Sequence, residues 1–306
     1  MIGPIAVPLL AVVPALIGIA CSPVATRFAR HIHPVAATVL LTGLALTVSL
    51  ATGLMLCLAA YLGTLELLPA LHPHDWSVTV LHASIPIPAA AGMAAGALAV
   101  VLLSRACIHV ARVVAGTRRT AIAAAALSPL GDLAIVDDDA MHAYAVPGRR
   151  QLIVVSKGLL RSLSGPQRRA LLAHERTHLR YHHHLYAQLA RLAASANPLI
   201  HPVARAVDGS LERWADAAAA RAVGDPSTVA HALGVAALSR SAPPVRSLGA
   251  AHHDVVDRVR DLLEPPRRRI DAAVALAIAT MLCWTSTAAV VLYVHRLIEL
   301  AETVSR

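Results

Sequence analysis

Residues 174–178 read His-Glu-Arg-Thr-His, and three more histidines follow at 182, 183 and 184. On a helix, side chains four positions apart share a face. The imidazoles of His174 and His178 can therefore converge on one Zn2+ ion, with Glu175 beside them as a general base that activates water against a carbonyl. A catalytic zinc takes three protein ligands and a water, so a third ligand must come from farther along the chain. His184 stands at the last position of the spacing H-E-x-x-H-x-x-G-x-x-H, which delivers a ligand when its glycine turns the chain. Tyr181 occupies the glycine's place, and tyrosine disfavours that backbone. The helix is expected to run on to about residue 184 and to point His184 away. Glu212, in Leu-Glu-Arg-Trp-Ala-Asp, is the preferred third ligand. Asp216 lies four residues later on the same helical face. It is expected to hold His174 through its second ring nitrogen, which fixes the tautomer and raises the ligand's basicity.

A tetrahedral oxyanion needs a cationic or hydrogen-bonding partner. The run AHHDVVDRVRDLL offers His252, His253 and Arg258, and His252 and Arg258 are the candidate catalytic residues there. An amphipathic helix with a charged face is the competing reading of that run. An extended substrate can be held as an added strand on a sheet edge, for which His142, Ala143 and Tyr144 are the candidates. His182 is expected on the substrate side or at an interface, His183 in solvent, and His201 packed or interfacial.

Short elements must position these groups. LAIV (133–136), HAYAV (142–146) and QLIVVS (151–156) read as strands, the last two joined at Pro147-Gly148 as a hairpin. SKGLLRSL reads as a short helix. Ser164, Pro166 and Gln167 form a capping-box signature, so a helix over about 165–184 carries the histidines. Pro198 and Pro202 in SANPLIHP interrupt the helical run, which then resumes to carry GSLERWADAAAARAV.

The remainder of the chain is apolar. Of 306 residues, 57% are hydrophobic and 15% charged, and the mean hydropathy is +0.61. That composition belongs to membrane proteins. Segments 2–20, 36–62, 85–104 and 272–294 contain no Asp, Glu, Lys or Arg and are long enough to span a bilayer. The first lacks a basic leader and reads as an anchor more than a cleaved signal. The net charge of +9 is read as arginines flanking spans, not as a nucleic-acid surface. Arg27 and Arg30, Arg105 to Arg119, and Arg267 to Arg269 fall on one side, whereas the 63–84 loop carries Glu66 and Asp75 and no Lys or Arg. Both termini are then outside a bacterial plasma membrane. The expected organisation is a membrane region over 1–104, a cytoplasmic zinc domain over 105–271, the fourth span, and a short tail over 295–306. The four cysteines show no C-x-x-C spacing, so neither a disulfide framework nor a thiolate zinc site is expected.

The string DDDAMHAYAVPGRRQLIVVSKGLLRSLSGPQRRALLAHERTHLRYHH, followed by NPLI and ERWAD, resembles the BlaR/MecR family of membrane antirepressor metallopeptidases over roughly 130–220. The resemblance implies a four-span helical membrane protein with an inserted, mostly helical α+β gluzincin-type zinc protease domain. It implies His174, His178 and Glu212 as ligands of one Zn2+, Glu175 as base and Asp216 behind the ligands. Its substrate would be a cytoplasmic winged-helix repressor. β-Lactam-sensing members carry a large penicillin-binding domain after the last span. Only about a dozen residues follow it here, so direct acylation by a β-lactam is not expected. HHDVVDRV also resembles the H-P-x-x-x-x-R element of HtpX and CAAX-prenyl proteases, with His252 and Arg258 matching and His253 in place of the proline. Those enzymes place two spans between the histidines and the glutamate, whereas residues 179–211 hold one modest apolar stretch, 185–200.

The expected function is an integral-membrane zinc endopeptidase of regulatory role, in contact with lipid and protein substrate and not with nucleic acid; a homodimer stays open. A membrane-protein quality-control or processing protease is the alternative, and a catalytically silent receptor is the alternative of another class.

Overall fold

The computed structural model describes residues 6–65, 67, 81, 84–148, 151–238 and 248–304, leaving aside the side chains of 6–8, 24, 238, 248–254 and 304. Glu66 and Asp75 lie outside the described residues. Among the described residues, four helices are long and apolar enough to cross a membrane. They are α1 (Ala6–Phe28), α2 (Pro34–Thr64), α3 (Ala89–Ala125) and, last in the chain, α10 (Ile270–Val304). Three run past their expected ends, α1 reaching Phe28 beyond residue 20. α3 continues beyond residue 104 through Arg105, Arg112, Arg118 and Arg119 to Ala125, because alanine-rich sequence sustains a helix after the apolar run stops. α10 continues to Val304, so the tail expected from residue 295 is helical over its described part. Gly63 and Gly92 let α2 and α3 cross closely: a Cβ on Gly63 would lie 2.8 Å from the Gly92 Cα. Small residues at a crossing are how helices pack in lipid.

Between α3 and α10 a small sheet is followed by helices. β1 (Leu133–Val136), β2 (Ala143–Val146) and β3 (Leu152–Ser156) form a sheet of order β1-β3-β2. β3 is parallel to β1 and antiparallel to β2, and every residue of β3 is buried, as suits a central strand. Ser156 caps α4 (Lys157–Ser162). Ser164 and Gln167 close the expected capping box on α5 (Gly165–Arg180).

α5 is shorter than expected. It ends at Arg180, and His182 takes a left-handed φ of 51°, the sole described non-glycine residue with positive φ. A new helix, α6 (His183–Ala196), starts at once. A 3-10 turn, Pro198–Ile200, leads to α7 (His201–Val223), with Pro202 in its first turn where a missing N–H costs nothing. α8 (Pro226–Leu238) and α9 (Leu248–Leu263) complete the region.

α6 and α7 do not stand apart from the long helices. Ala190, Ala193, Ile200, Val203 and Val207 share one core with Leu41, Leu44 and Val48 of α2, Ala25 of α1 and Cys283 of α10. The sheet has a second core, in which Ile153 and Val155 pack with Leu159, Leu163 and Leu179.

Candidate metal centre

α5 and α7 lie side by side and bring three ligand-capable side chains together. The Nε2 atoms of His174 and His178 are 3.1 Å apart. Glu212 sends Oε2 to within 3.6 Å of His174 Nε2 and Oε1 to within 3.7 Å of His178 Nε2. Among the described residues these three form a group whose donor atoms all lie within 4.8 Å of one another. Two ligands at zinc bond lengths in a tetrahedron are about 3.3 Å apart, so the spacing suits one ion. His184 is not in the group; it lines the neighbouring cleft.

Each histidine is backed differently. His174 Nδ1 lies 2.9 Å from Oδ1 of Asp216, which is buried at 3% exposure. With Nδ1–H donating to that carboxylate, the Nε2 lone pair faces Glu212. Arg258, from α9, donates from Nε and Nη2 to the two Asp216 oxygens at 2.7 and 2.8 Å, and its Nη1 is 2.9 Å from Glu212 Oε2. The expected oxyanion partner is thus engaged by the carboxylates of Glu212 and Asp216. His252 lies in α9 with its side chain outside the described residues.

His178 is backed by a residue the sequence reading placed in solvent. His183 is buried at 2% exposure, and its Nδ1 is 3.0 Å from His178 Nδ1. Its ring packs on Trp214 at 4.7 Å between centroids. The correction has one cause. The left-handed residue at 182 reverses the chain one position after the place where the glycine would stand, so His183 returns to the site. Residue type marks this only weakly, since histidine visits φ > 0 more than most residues but still in a small minority of cases. His182 itself is exposed, as is His201, whose Nδ1 lies 3.0 Å from the Pro198 carbonyl.

Charges follow these contacts. Burial alone would lower the His174 pKa, but hydrogen bonds to Asp216 and Glu212 outweigh it and push it up to about 10. Burial lowers His178 to about 4 and His183 to about 3, helped by neighbouring histidines. Burial would raise Asp216, yet bonds from Arg258 and His174 hold it below the usual carboxylate range; Glu212 is held down by His174 and Arg258 in the same way. Glu175 differs: burial raises its carboxyl, with the Ala145 N–H of β2 as an opposing contact. A raised carboxyl in a cleft suits a general base.

The cleft over these residues has a volume of about 510 Å³, and Met141 to Ala145, Leu171, Leu211 and Leu233 are among its walls. β2 lies at the edge of the sheet and lines it. Ser156 N–H donates to the His142 carbonyl, so the polar groups of His142 and Tyr144 point to β3. By alternation those of Ala143 and Ala145 point away from it. Of the expected edge residues, Ala143 is the one in register to pair outward.

Residues 110–195 match the model of Peptidase family M48, a zinc metallopeptidase family. The match takes in the sheet, α5 and both histidines, and ends before Glu212, Asp216 and Arg258. No curated protein and no solved structure matches the chain. Over these residues the chain is similar to M48 peptidases, and that similarity, with a triad able to hold a metal and several helices able to enter a membrane, indicates a membrane-associated metallopeptidase acting on protein.

Proposed function

We propose that this protein is an integral-membrane zinc endopeptidase whose residues 105–271 face the cytoplasm and cut a cytoplasmic regulatory protein. The observation that supports this best is the meeting of His174, His178 and Glu212, from two helices, with Glu175 beside them. His174, His178 and Glu212 would hold the ion. Bound zinc would supply a Lewis acid that lowers the pKa of water toward about 7 and polarises a peptide carbonyl. Glu175 takes the proton of the attacking water and returns it to the leaving amine; its raised carboxyl makes the uptake easier. Asp216 and Arg258 hold His174 and Glu212 in place. The outward polar groups of Ala143 hold the substrate extended.

The test uses purified wild type and Glu175→Gln, each assayed for zinc content and for cleavage of a candidate repressor. The variant should keep its zinc and lose cleavage by about 100- to 10,000-fold, the scale of losing an essential proton-transfer group. Zinc lost together with activity would remove Glu175 from the role of base. Transcripts of cells carrying either form test the regulatory part, which requires that a small set of genes change together. A second reading, a membrane-protein processing or quality-control protease, is favoured by the arrival of Arg258, the arginine of the H-P-x-x-x-x-R-like element, at the ligand carboxylate. General membrane stress without a discrete set of genes would select it.

A further inference from the structure

Asp216 and Arg258 line two cavities. One is the cleft over the metal ligands. The other, of about 160 Å³, shares no other described lining residue with it. Its walls come from the turn between α1 and α2, from α7, and from the link between α9 and α10. Contacts at that link hold the walls together. The Arg269 N–H donates to the His31 carbonyl at 2.7 Å, and the Arg269 guanidinium lies 5.0 Å from the centre of the Phe28 ring. Pro265 and Pro266, both in the wall, restrict the backbone at the entry to α10.

The charge of this cavity is lopsided. Arg30, Arg213, Arg221, Arg258 and Arg268 line it, against the carboxyls of Asp216 and Asp261. Asp216 is already engaged by Arg258 and His174. Asp261 is the one carboxyl left, and burial raises it against the opposing pull of Arg213 and Arg30. Arg30 in the turn, Arg221 near the end of α7 and Arg268 just before α10 form no ion pair among the described residues. They are exposed, yet they gather from three places in the chain around one concavity. Their field is felt at His33 in the wall: burial first, then the charges of Arg268 and Arg221, hold its pKa below the ordinary value. Cations of one sign around a concavity focus an attractive potential on anions. The guanidinium fork matches the oxygens of phosphate, two at a time.

We propose that this cavity binds a phosphate group, carried by an anionic lipid headgroup or free in solution, with Arg30, Arg221 and Arg268 as its donors. Both sources fit the topology read from the sequence. Arg30 and Arg268 flank spans on the side read as cytoplasmic, where basic pockets meet acidic headgroups and soluble phosphates alike. Asp216 and Arg258 form the wall shared with the metal centre. A bound anion therefore stands one side chain away from His174 and Glu212, which those two residues hold.

The test uses the full chain, treated with chelator so that its outcome does not depend on zinc, in maltoside micelles that bring no phosphate. Equilibrium dialysis with labelled inorganic phosphate reads the soluble source. Native mass spectrometry after exposure to phosphatidylglycerol or phosphatidylcholine reads the lipid source. The wild type should keep one phosphate-bearing anion per chain by at least one route. Phosphatidylglycerol kept while phosphatidylcholine is lost identifies the headgroup, and dialysed phosphate bound without lipid identifies a soluble anion. Arg221→Gln with Arg268→Gln should weaken that binding about 10–100-fold, the scale of losing charge-assisted hydrogen bonds. Arg112→Gln with Arg118→Gln, exposed on α3, removes the same charge elsewhere and should leave it unchanged. Ala217→Leu, which narrows the cavity and keeps every charge, gives the same reading if the arginine variant loses its melting transition. Binding by neither route, lipid kept without regard to headgroup, or equal losses in the two arginine pairs overturns the site.

Discussion

The two histidines of the triad sit on one helix, a turn apart, and yet rest on opposite kinds of support. Behind His174 stands charge: Asp216, clamped by Arg258, which also reaches Glu212. Behind His178 stands a neutral ring, His183, pressed on Trp214. A carboxylate enriches its imidazole in electron density and demands a compensating cation; an imidazole orients its partner without adding charge. The difference separates the stability of the site from its affinity for metal.

The charged side should break hardest. Asp216→Ala leaves Arg258 and His174 facing each other without their shared carboxylate, and thermal unfolding should register a loss of about 3–5 kcal/mol, the scale for a buried pair stripped of one partner. A small loss would show that the two sides are alike. On the neutral side, His183→Phe keeps a ring against Trp214 and removes the acceptor for His178 Nδ1–H. Zinc affinity, read by chelator competition, should fall about 10–100-fold. Stability of the metal-stripped protein should hold or rise, because the His183 Nε2 is buried with no hydrogen-bond partner and such a group is a cost. His183→Gln, with a carbonyl to accept the bond, should recover part of the affinity.

Titration of the chelator-treated protein sharpens the contrast. His178 and His183, at about 4 and about 3 against an ordinary 6.5, refuse protons that the unfolded chain binds, so stability falls as pH drops from about 6.5 toward 4. His174, at about 10, holds a proton the unfolded chain has lost, so its contribution is complete below 6.5 and fades as pH rises toward 10. Melting temperature should therefore peak near neutrality, and Asp216→Ala should shrink the alkaline flank, which Glu212 partly maintains, and leave the acid flank in place. The smallest effect on the centre itself should come from Ala143→Pro. It removes an outward N–H from the edge strand and no ladder bond, so kcat/KM should drop about tenfold with zinc content unchanged, a tenfold loss being about 1.4 kcal/mol, the size of one hydrogen bond. Zinc loss in this variant would tie β2 to the metal ligands.

How much of this was legible in the residues depends on the range of each interaction. The strands, the capping box on α5, the interruption at Pro198 and the apolar stretches of the four long helices are local matters of period and turn chemistry, and pattern alone finds them, though not where α1, α3 and α10 end. The face shared by His174 and His178 is equally local. The end of α5 was not legible, since it turns on a left-handed His182 in place of glycine, a strained backbone that only surrounding packing enforces. Sequence by itself determined that the imidazoles of His174 and His178 share one helical face in a chain of membrane composition. Tertiary structure decided that His183, not His184, returns to them, that Arg258 is held by Asp216 and Glu212, and that α6 lies among the long helices. Helical periodicity reaches four residues along a chain, whereas these contacts join elements whose approach is set by which apolar faces bury one another.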